Sequence, residues 1–209
     1  MKIQSIILSV LLLLIAIFPA WSQNILISTK NTSLLLSAKK GDPLMFAYYG
    51  NRIEDKEVEG IWRSGIAYNR RAYPTFNDWC PDECAILVQH ANGDIALELT
   101  VQDVKRENTS DGELVSIAMR DKVYPFDVKV CYRSHTASDV IETWTEITHQ
   151  EKKNDVILKK YASAYLPVRG GNVWLSHFHG SWVNEFGMYE QPLTAGMMVV
   201  KNRDGVRNG

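Results

Sequence analysis

The sequence has no excess of charge of either sign, because 23 Lys and Arg residues stand against 24 Asp and Glu residues and the net charge is -1. Phosphate binding needs a clustered basic surface, so the composition gives no reason to expect nucleic acid as a partner. The sequence also lacks a glycine-rich phosphate loop and any internal repeat. Its 45% of hydrophobic residues is typical of a folded globular protein rather than a disordered one.

No apolar run in the sequence reaches the roughly 20 residues that a bilayer-spanning helix needs. The longest run, Ile6–Phe18, has 13 residues, follows Lys2, and precedes the small residues Ala20 and Ser22. This pattern predicts a secretory signal peptide over residues 1–22, cleaved after Ser22. The alternative is an uncleaved membrane anchor. We therefore expect an exported protein, periplasmic or extracellular, whose mature chain is residues 23–209 and has no membrane span.

Cysteine is scarce, with Cys80, Cys84 and Cys131 as the three examples. In an exported protein a disulfide is plausible, but three cysteines leave one unpaired, and all three pairings stay open. A zinc site needs four ligands at closer spacing, so we expect no metal and no cofactor. His177 and His179 lie two residues apart and would point to the same face of a strand; we favour hydrogen-bonded structural histidines there over metal ligands.

After residue 22 the sequence has no sustained 3.6-residue apolar period, whereas a period of two recurs. Apolar residues alternate with more polar ones along two segments, Ile95–Val101 and Phe126–Tyr132, as in antiparallel strands that lie on a core. Further β-rich runs are Ile25–Ser28, Leu34–Ser37, Leu44–Tyr49, Ala85–His90, Glu113–Met119, Val140–Thr148, Val156–Ser163, Val173–Phe178 and Gly196–Lys201.

The turn residues between these runs favour hairpins. Asn92-Gly93 is a strong hairpin signal, and Asp111-Gly112 precedes the run that begins at Glu113. Many short strands, frequent turns and no long helix predict an all-β, antiparallel β-sandwich. The segment 51–81 is the least regular, but its aromatic residues indicate an ordered loop that packs on the domain.

The densest aromatic stretch, residues 173–189, interleaves Trp and Phe side chains with His, Asn and Glu. Flat aromatic rings and nearby polar groups suit a concave sugar site, but for most of these rings we favour a place in the core. Trp174 lies inside a strand run and is expected to be core. Trp182 follows Gly180-Ser181, so we expect it in a loop, where binding residues tend to lie.

Several motifs, in order along the mature chain, give it a likeness to a known family. They are FAYYGNRI at Phe46–Ile53, YPTF at Tyr73–Phe76, the run Ala85–Ala91 with its Asn-Gly turn, DVIETW at Asp139–Trp144, HFHGSWVNEF at His177–Phe186, and PLT at Pro192–Thr194. The chain resembles the N-terminal β-sandwich domain, of the supersandwich type, of glycoside hydrolase family 36, the α-galactosidases.

This resemblance implies a non-catalytic domain that precedes a (β/α)8 barrel, which carries the two catalytic aspartates in the family. A complete barrel needs about 250 residues, so the 209-residue chain does not contain one. We therefore expect a fragment or truncated form that is inactive alone, supports a missing catalytic barrel and helps form a homo-oligomer. The resemblance also implies that Trp182 rims the galactoside site. The alternatives are a stand-alone secreted carbohydrate-binding module and a structural domain without a ligand.

Overall fold

The computed structural model describes residues 23–65, 67, 70–76, 83–168, 172–181, 184–194 and 198–201. The chain divides into two compact units, Met1–Pro167 and Val168–Gly209. Within the described residues, no helix is both long and apolar enough to cross a membrane. The predicted signal peptide, residues 1–22, lies outside the described residues.

The regular secondary structure of the first unit is mostly β-strand. The described strands are β1 (Gln23–Ser28), β2 (Thr32–Ala38), β3 (Met45–Asn51), β4 (Arg70–Arg71), β5 (Ile86–Gln89), β6 (Leu99–Thr109), β7 (Gly112–Asp121), β8 (Phe126–His135), β9 (Val140–His149) and β10 (Ile157–Tyr161). One α-helix, α1 (Val58–Arg63), follows a single 3-10 turn at Asp55–Glu57. The second unit contains the strands β11 (Trp174–Ser181) and β12 (Asn184–Pro192).

The strands of the first unit form antiparallel sheets in simple sequential order. One four-stranded sheet has the order β1-β2-β3-β4, and a second has the order β6-β7-β8-β9. β5 pairs with β10 in a separate two-stranded sheet. The predicted all-β class is therefore confirmed, and the arrangement of the sheets fits a β-sandwich.

One hydrophobic core joins the sheets of the first unit. β8 supplies Phe126, Val128, Val130 and Tyr132, all of them buried, as its alternating pattern predicts. The same core includes residues of the other four-stranded sheet, among them Ile25, Ile27, Leu36 and Phe46, together with Ile86 and Val88 of β5. The inward faces of the two four-stranded sheets thus pack on each other.

The outer face of the β1–β4 sheet is covered by helix α1. Three consecutive leucines of β2, Leu34–Leu36, are all buried, because Leu35 points away from the main core and packs against Val58 of α1. Trp62 of α1 joins this second cluster and donates from Nε1 to Asn24 Oδ1 at 3.1 Å. The helix ends at Arg63 with Ser64 as its C-cap, and Gly65, the next residue, has a φ of 70°, the left-handed conformation common just after a helix. The expected ordered packing of segment 51–81 is confirmed at these described residues.

Three predicted strand features are wrong. Ile95–Glu98 lies outside any strand, because β6 begins at Leu99 and continues through a charged stretch to Thr109. Asn92-Gly93 does form a tight turn, with Gly93 at φ 90°, but no hairpin follows, because β5 pairs with β10. Met198–Lys201, the described part of the predicted run Gly196–Lys201, lies outside any strand.

The cysteines give no disulfide among the described residues. Cys84 and Cys131 are both free thiols, which contradicts every predicted pairing, since each involves one of them; Cys80 lies outside the described residues. Cys131 is buried on the outward side of β8. This burial is the main reason that the pKa of its thiol is raised. Within the described part of the chain, no group of three or more His, Cys, Asp or Glu side chains could hold a metal ion.

Candidate functional site

The predicted sugar-site motif lies on the β11–β12 hairpin. The two strands pair in antiparallel register from Trp174↔Pro192 to His179↔Gly187, and the register shifts between His179 and Ser181. Because side chains alternate along strands, the hairpin has two distinct faces. Trp182, which we predicted to rim the sugar site, falls between β11 and β12 in the sequence and lies outside the described residues.

One side of the hairpin carries exposed apolar side chains, and we call it the aromatic face. The register places three cross-strand pairs there: Trp174 with Pro192, Ser176 with Glu190, and Phe178 with Met188. Trp174 is 62% exposed, so the prediction that it is a core residue is wrong. Ser176 Oγ donates to Glu190 Oε1 at 2.8 Å and places a polar pair between the apolar ones. Aromatic surface with an adjacent carboxylate can bind a sugar by stacking and hydrogen bonding.

The other side of the hairpin holds a histidine–tyrosine cluster. His177 and His179 lie on the same face, as their spacing predicts, and both rings contact Tyr189 of the opposite strand, with centroid distances of 6.0 Å and 4.2 Å. Within the described residues, the buried Nδ1 atom of His177 has no hydrogen-bond partner. Among the described residues, what the structure shows for both histidines is ring packing on Tyr189.

Gly187 makes room for this cluster. A Cβ atom at this position would lie 3.1 Å from Cε1 of His179, its cross-strand partner. That distance is too short for comfortable van der Waals contact, so a side chain at Gly187 would push the imidazole ring away from Tyr189. The absence of a side chain at Gly187 thus leaves space for the imidazole ring of His179 over β12.

Phe186, the third residue of β12, has a strained backbone. Its φ is 62°, a left-handed conformation that is rare for a bulky side chain, and the ring is 56% exposed. Such a conformation costs of order 1–3 kcal/mol and tends to occur at ligand sites. Sequence reasoning missed this feature, because only the β-bulge geometry reveals it.

The comparisons with known proteins agree on a family and a fold. The family model of the glycosyl hydrolase family 36 N-terminal domain matches residues 42–209, most of the chain. No curated protein matches the sequence significantly.

Solved structures similar to this chain are α-galactosidases. The galactosidase domain of an α-galactosidase–sucrose kinase is 16% identical, with a TM-score of 0.71 over 84% of this chain and 28% of its own. The α-galactosidase of Lactobacillus brevis is 18% identical, with a TM-score of 0.67 over 85% and 28%. A Geobacillus stearothermophilus family 36 α-galactosidase in complex with stachyose is 16% identical, with a TM-score of 0.70 over 83% and 28%. These likenesses show a shared fold, and this chain spans 28% of the length of each relative.

Proposed function

Because the chain belongs to the N-terminal domains of glycosyl hydrolase family 36, we propose that it is the non-catalytic domain of a secreted α-galactosidase. The enzyme would act on terminal α-galactosides, and its catalytic aspartates would lie in a barrel domain outside the 209 residues. Signal-like residues 1–22 support export. The observation that carries the proposal is the family match over residues 42–209, which includes the whole β11–β12 hairpin.

The hairpin is the part of the chain that we assign to the sugar site. Its aromatic face exposes Trp174 and Phe178, with 62% and 45% of their surfaces accessible, and a large apolar face is seldom left open without a binding role. The strained, exposed Phe186 lies four residues after Trp182. We propose that the end of the hairpin places Trp182 at the rim of the galactoside pocket, while the rest supports the barrel.

Oligomer formation is part of the same proposal. An exposed face of Trp, Phe and Met side chains has the composition found at the centres of protein–protein interfaces. We propose that a second copy of the enzyme covers the part of the aromatic face that the barrel leaves open.

The proposal predicts that the 209-residue chain alone does not hydrolyse a chromogenic α-galactoside. A retaining glycosidase needs two carboxylates about 5–5.5 Å apart, and we place this pair in the barrel. We expect turnover only when the chain is joined to the barrel encoded downstream in the same gene. Turnover by the purified chain that disappears when one of its own carboxylates is replaced would contradict the proposal. So would a downstream sequence that encodes no barrel.

Calorimetric titration of the isolated chain with raffinose distinguishes the proposed non-catalytic domain from the alternative, a stand-alone carbohydrate-binding module. A domain that only rims a barrel pocket provides one side of the site, and we expect no saturable binding. Saturable binding of raffinose by the isolated chain, lost when Trp182 is replaced by alanine, would favour the module.

A further inference from the structure

The first unit contains a cavity that the proposed function does not use. Its volume is about 360 Å³, within the range of small-ligand sites. It lies between the turn that follows β5 and the segment that follows β9. Its lining residues are Ala91, Asn92, Tyr124, Pro125 and the consecutive residues Gln150, Glu151, Lys152, Lys153 and Asn154.

One lining residue of this cavity, Glu151, is bound to the buried His90. His90 has no exposed side-chain surface, and its Nδ1 lies 2.7 Å from Oε1 of Glu151, whose side chain is 5% exposed. The other ring nitrogen, Nε2, lies 3.0 Å from the carbonyl oxygen of Ala96. A carbonyl oxygen can only accept, and Oε2 of Glu151 already accepts the Ala91 N–H at 2.9 Å. Both carboxylate oxygens of Glu151 are therefore engaged within the protein, one by the His90 ring and the other by the Ala91 N–H.

A fixed aromatic ring forms one wall. Tyr124 stacks on His90 with a centroid distance of 3.7 Å and an interplanar angle of 15°. Its hydroxyl donates to Oδ2 of Asp94 at 2.7 Å and accepts from Nδ2 of Asn92 at 3.0 Å. The bond from Tyr124 lowers the pKa of the Asp94 carboxyl, which stays ionised as its acceptor. Tyr124 and Pro125 thus provide a rigid apolar surface against which a flat ligand can pack.

Two lysines give the cavity a positive rim. Lys152 and Lys153 are exposed, and within the described residues neither has a carboxylate partner. Glu151, the carboxylate of the lining, has both oxygens bound by His90 and the Ala91 N–H. Lys153 has a φ of 90°, a strained conformation for a residue other than glycine. On either side, the Gln150 N–H donates to the Pro125 carbonyl at 2.9 Å and Asn154 Nδ2 donates to the Ala91 carbonyl at 2.8 Å. The segment is held in this strained form across the cavity.

We propose that this cavity binds an acidic sugar unit, a pyranose ring that carries a carboxylate. The apolar side of the ring packs on Tyr124 and Pro125, since C–H surfaces of sugars stack on aromatic rings. The carboxylate lies between the ammonium groups of Lys152 and Lys153. The side-chain amide of Gln150 hydrogen-bonds a hydroxyl group of the sugar ring. This site lies in the first unit and requires neither the hairpin nor a barrel. The proposal for this site is therefore independent of whether the chain is part of an α-galactosidase.

Titration of the 209-residue chain with three probes tests this site. Galacturonate and galactose have the same ring stereochemistry and differ at C6, where one has a carboxylate and the other a hydroxymethyl group; inorganic phosphate supplies charge without a ring. We expect galacturonate to bind saturably and at least tenfold more tightly than either of the others, with affinity that falls as salt is added. Equal binding of galactose would overturn the role of the lysines, and equal binding of phosphate would overturn the role of the aromatic wall. No binding of galacturonate would overturn the site.

Two lysine variants locate the binding. Lys153→Gly removes an ammonium group and keeps the positive φ without strain, since glycine adopts it freely. Lys152→Gln removes the other ammonium group at an exposed position. We expect each to weaken galacturonate binding about tenfold, whereas Lys105→Gln, an exposed lysine of β6 that does not line the cavity, leaves it unchanged. Circular dichroism establishes that the variants fold. Wild-type affinity in both cavity variants, or an equal loss in Lys105→Gln, would overturn the assignment.

Discussion

Replacing Glu151 with glutamine is expected to lower the free energy of unfolding by about 1.5–3 kcal/mol, because it replaces a charged carboxylate in buried hydrogen bonds. Glu151 lies 2.7 Å from His90 Nδ1, and the two side chains are 5% and 0% exposed. The amide of glutamine has the same shape as the carboxylate but carries no charge to strengthen the hydrogen bonds from the His90 ring and the Ala91 N–H. Chemical denaturation at neutral pH measures this loss.

The effect of Glu151→Gln should depend on pH with a defined sign. Burial opposes ionisation of Glu151, but the hydrogen bonds from His90 and the Ala91 N–H outweigh it and lower the pKa of the carboxyl from its ordinary value of 4.5. A lowered pKa in the folded state contributes stability above 4.5, and this contribution is lost as the pH falls through the folded pKa. The difference between wild type and variant should therefore be full at neutral pH and shrink in acid.

Glu98→Gln is the matched control for Glu151→Gln. Glu98 pairs with Lys122 at the surface, where the two side chains are 46% and 50% exposed. Surface ion pairs are worth about 0–1 kcal/mol, so this variant should lose no more than that. A loss for Glu151→Gln as small as that of the control would show that the buried contact between Glu151 and His90 does not stabilise the fold.

Replacing Phe46 with alanine is expected to lower the free energy of unfolding by about 3–5 kcal/mol, since deletion of a buried Phe side chain leaves a cavity. Phe46 is 1% exposed and lies in the core between the two four-stranded sheets. Trp174→Ala should cost less than about 1 kcal/mol despite the larger side chain, because its ring is 62% exposed. Denaturant unfolding of both variants measures the contrast.

Phe76→Ala is the matched control for the core variant. It makes the same deletion in the same unit at a ring that is 54% exposed, and it should cost less than about 1 kcal/mol. If Trp174→Ala destabilised the chain as much as Phe46→Ala, the tryptophan would be a core residue. It would then not be part of the exposed aromatic face.

Strands buried on one face could be predicted from the sequence. β8 alternates apolar and polar side chains because its inner face meets the opposite sheet, and this alternation is visible without coordinates. β6 is different, since from Gln102 to Asn108 its side chains are mostly exposed and the segment is held as a strand by pairing with β7. Helix α1 has six residues, too few to show a helical period.

The candidate site could be predicted only in part. The two-residue spacing of His177 and His179 correctly predicts a shared face, but their contact with Tyr189 depends on the register of a hairpin whose partner strand, β12, has no clear alternating pattern. Trp174 was wrongly predicted to be core because exposed and buried aromatic residues look alike in a strand. The His90–Glu151 pair joins residues 61 positions apart, and no local pattern predicts such a contact.

The central claim, that the β11–β12 hairpin acts at a sugar site, is tested most directly at Trp182. The measurement is kcat/KM for raffinose, together with the thermal unfolding midpoint, of Trp182→Ala in the chain joined to the barrel that we propose. Trp144→Ala on β9 serves as the control. We predict that Trp182→Ala lowers kcat/KM about tenfold, equivalent to about 1.4 kcal/mol, with an unchanged midpoint, and that the control keeps wild-type kcat/KM. A Trp182→Ala variant with wild-type kcat/KM and a midpoint lowered as far as that of Phe46→Ala would contradict the claim.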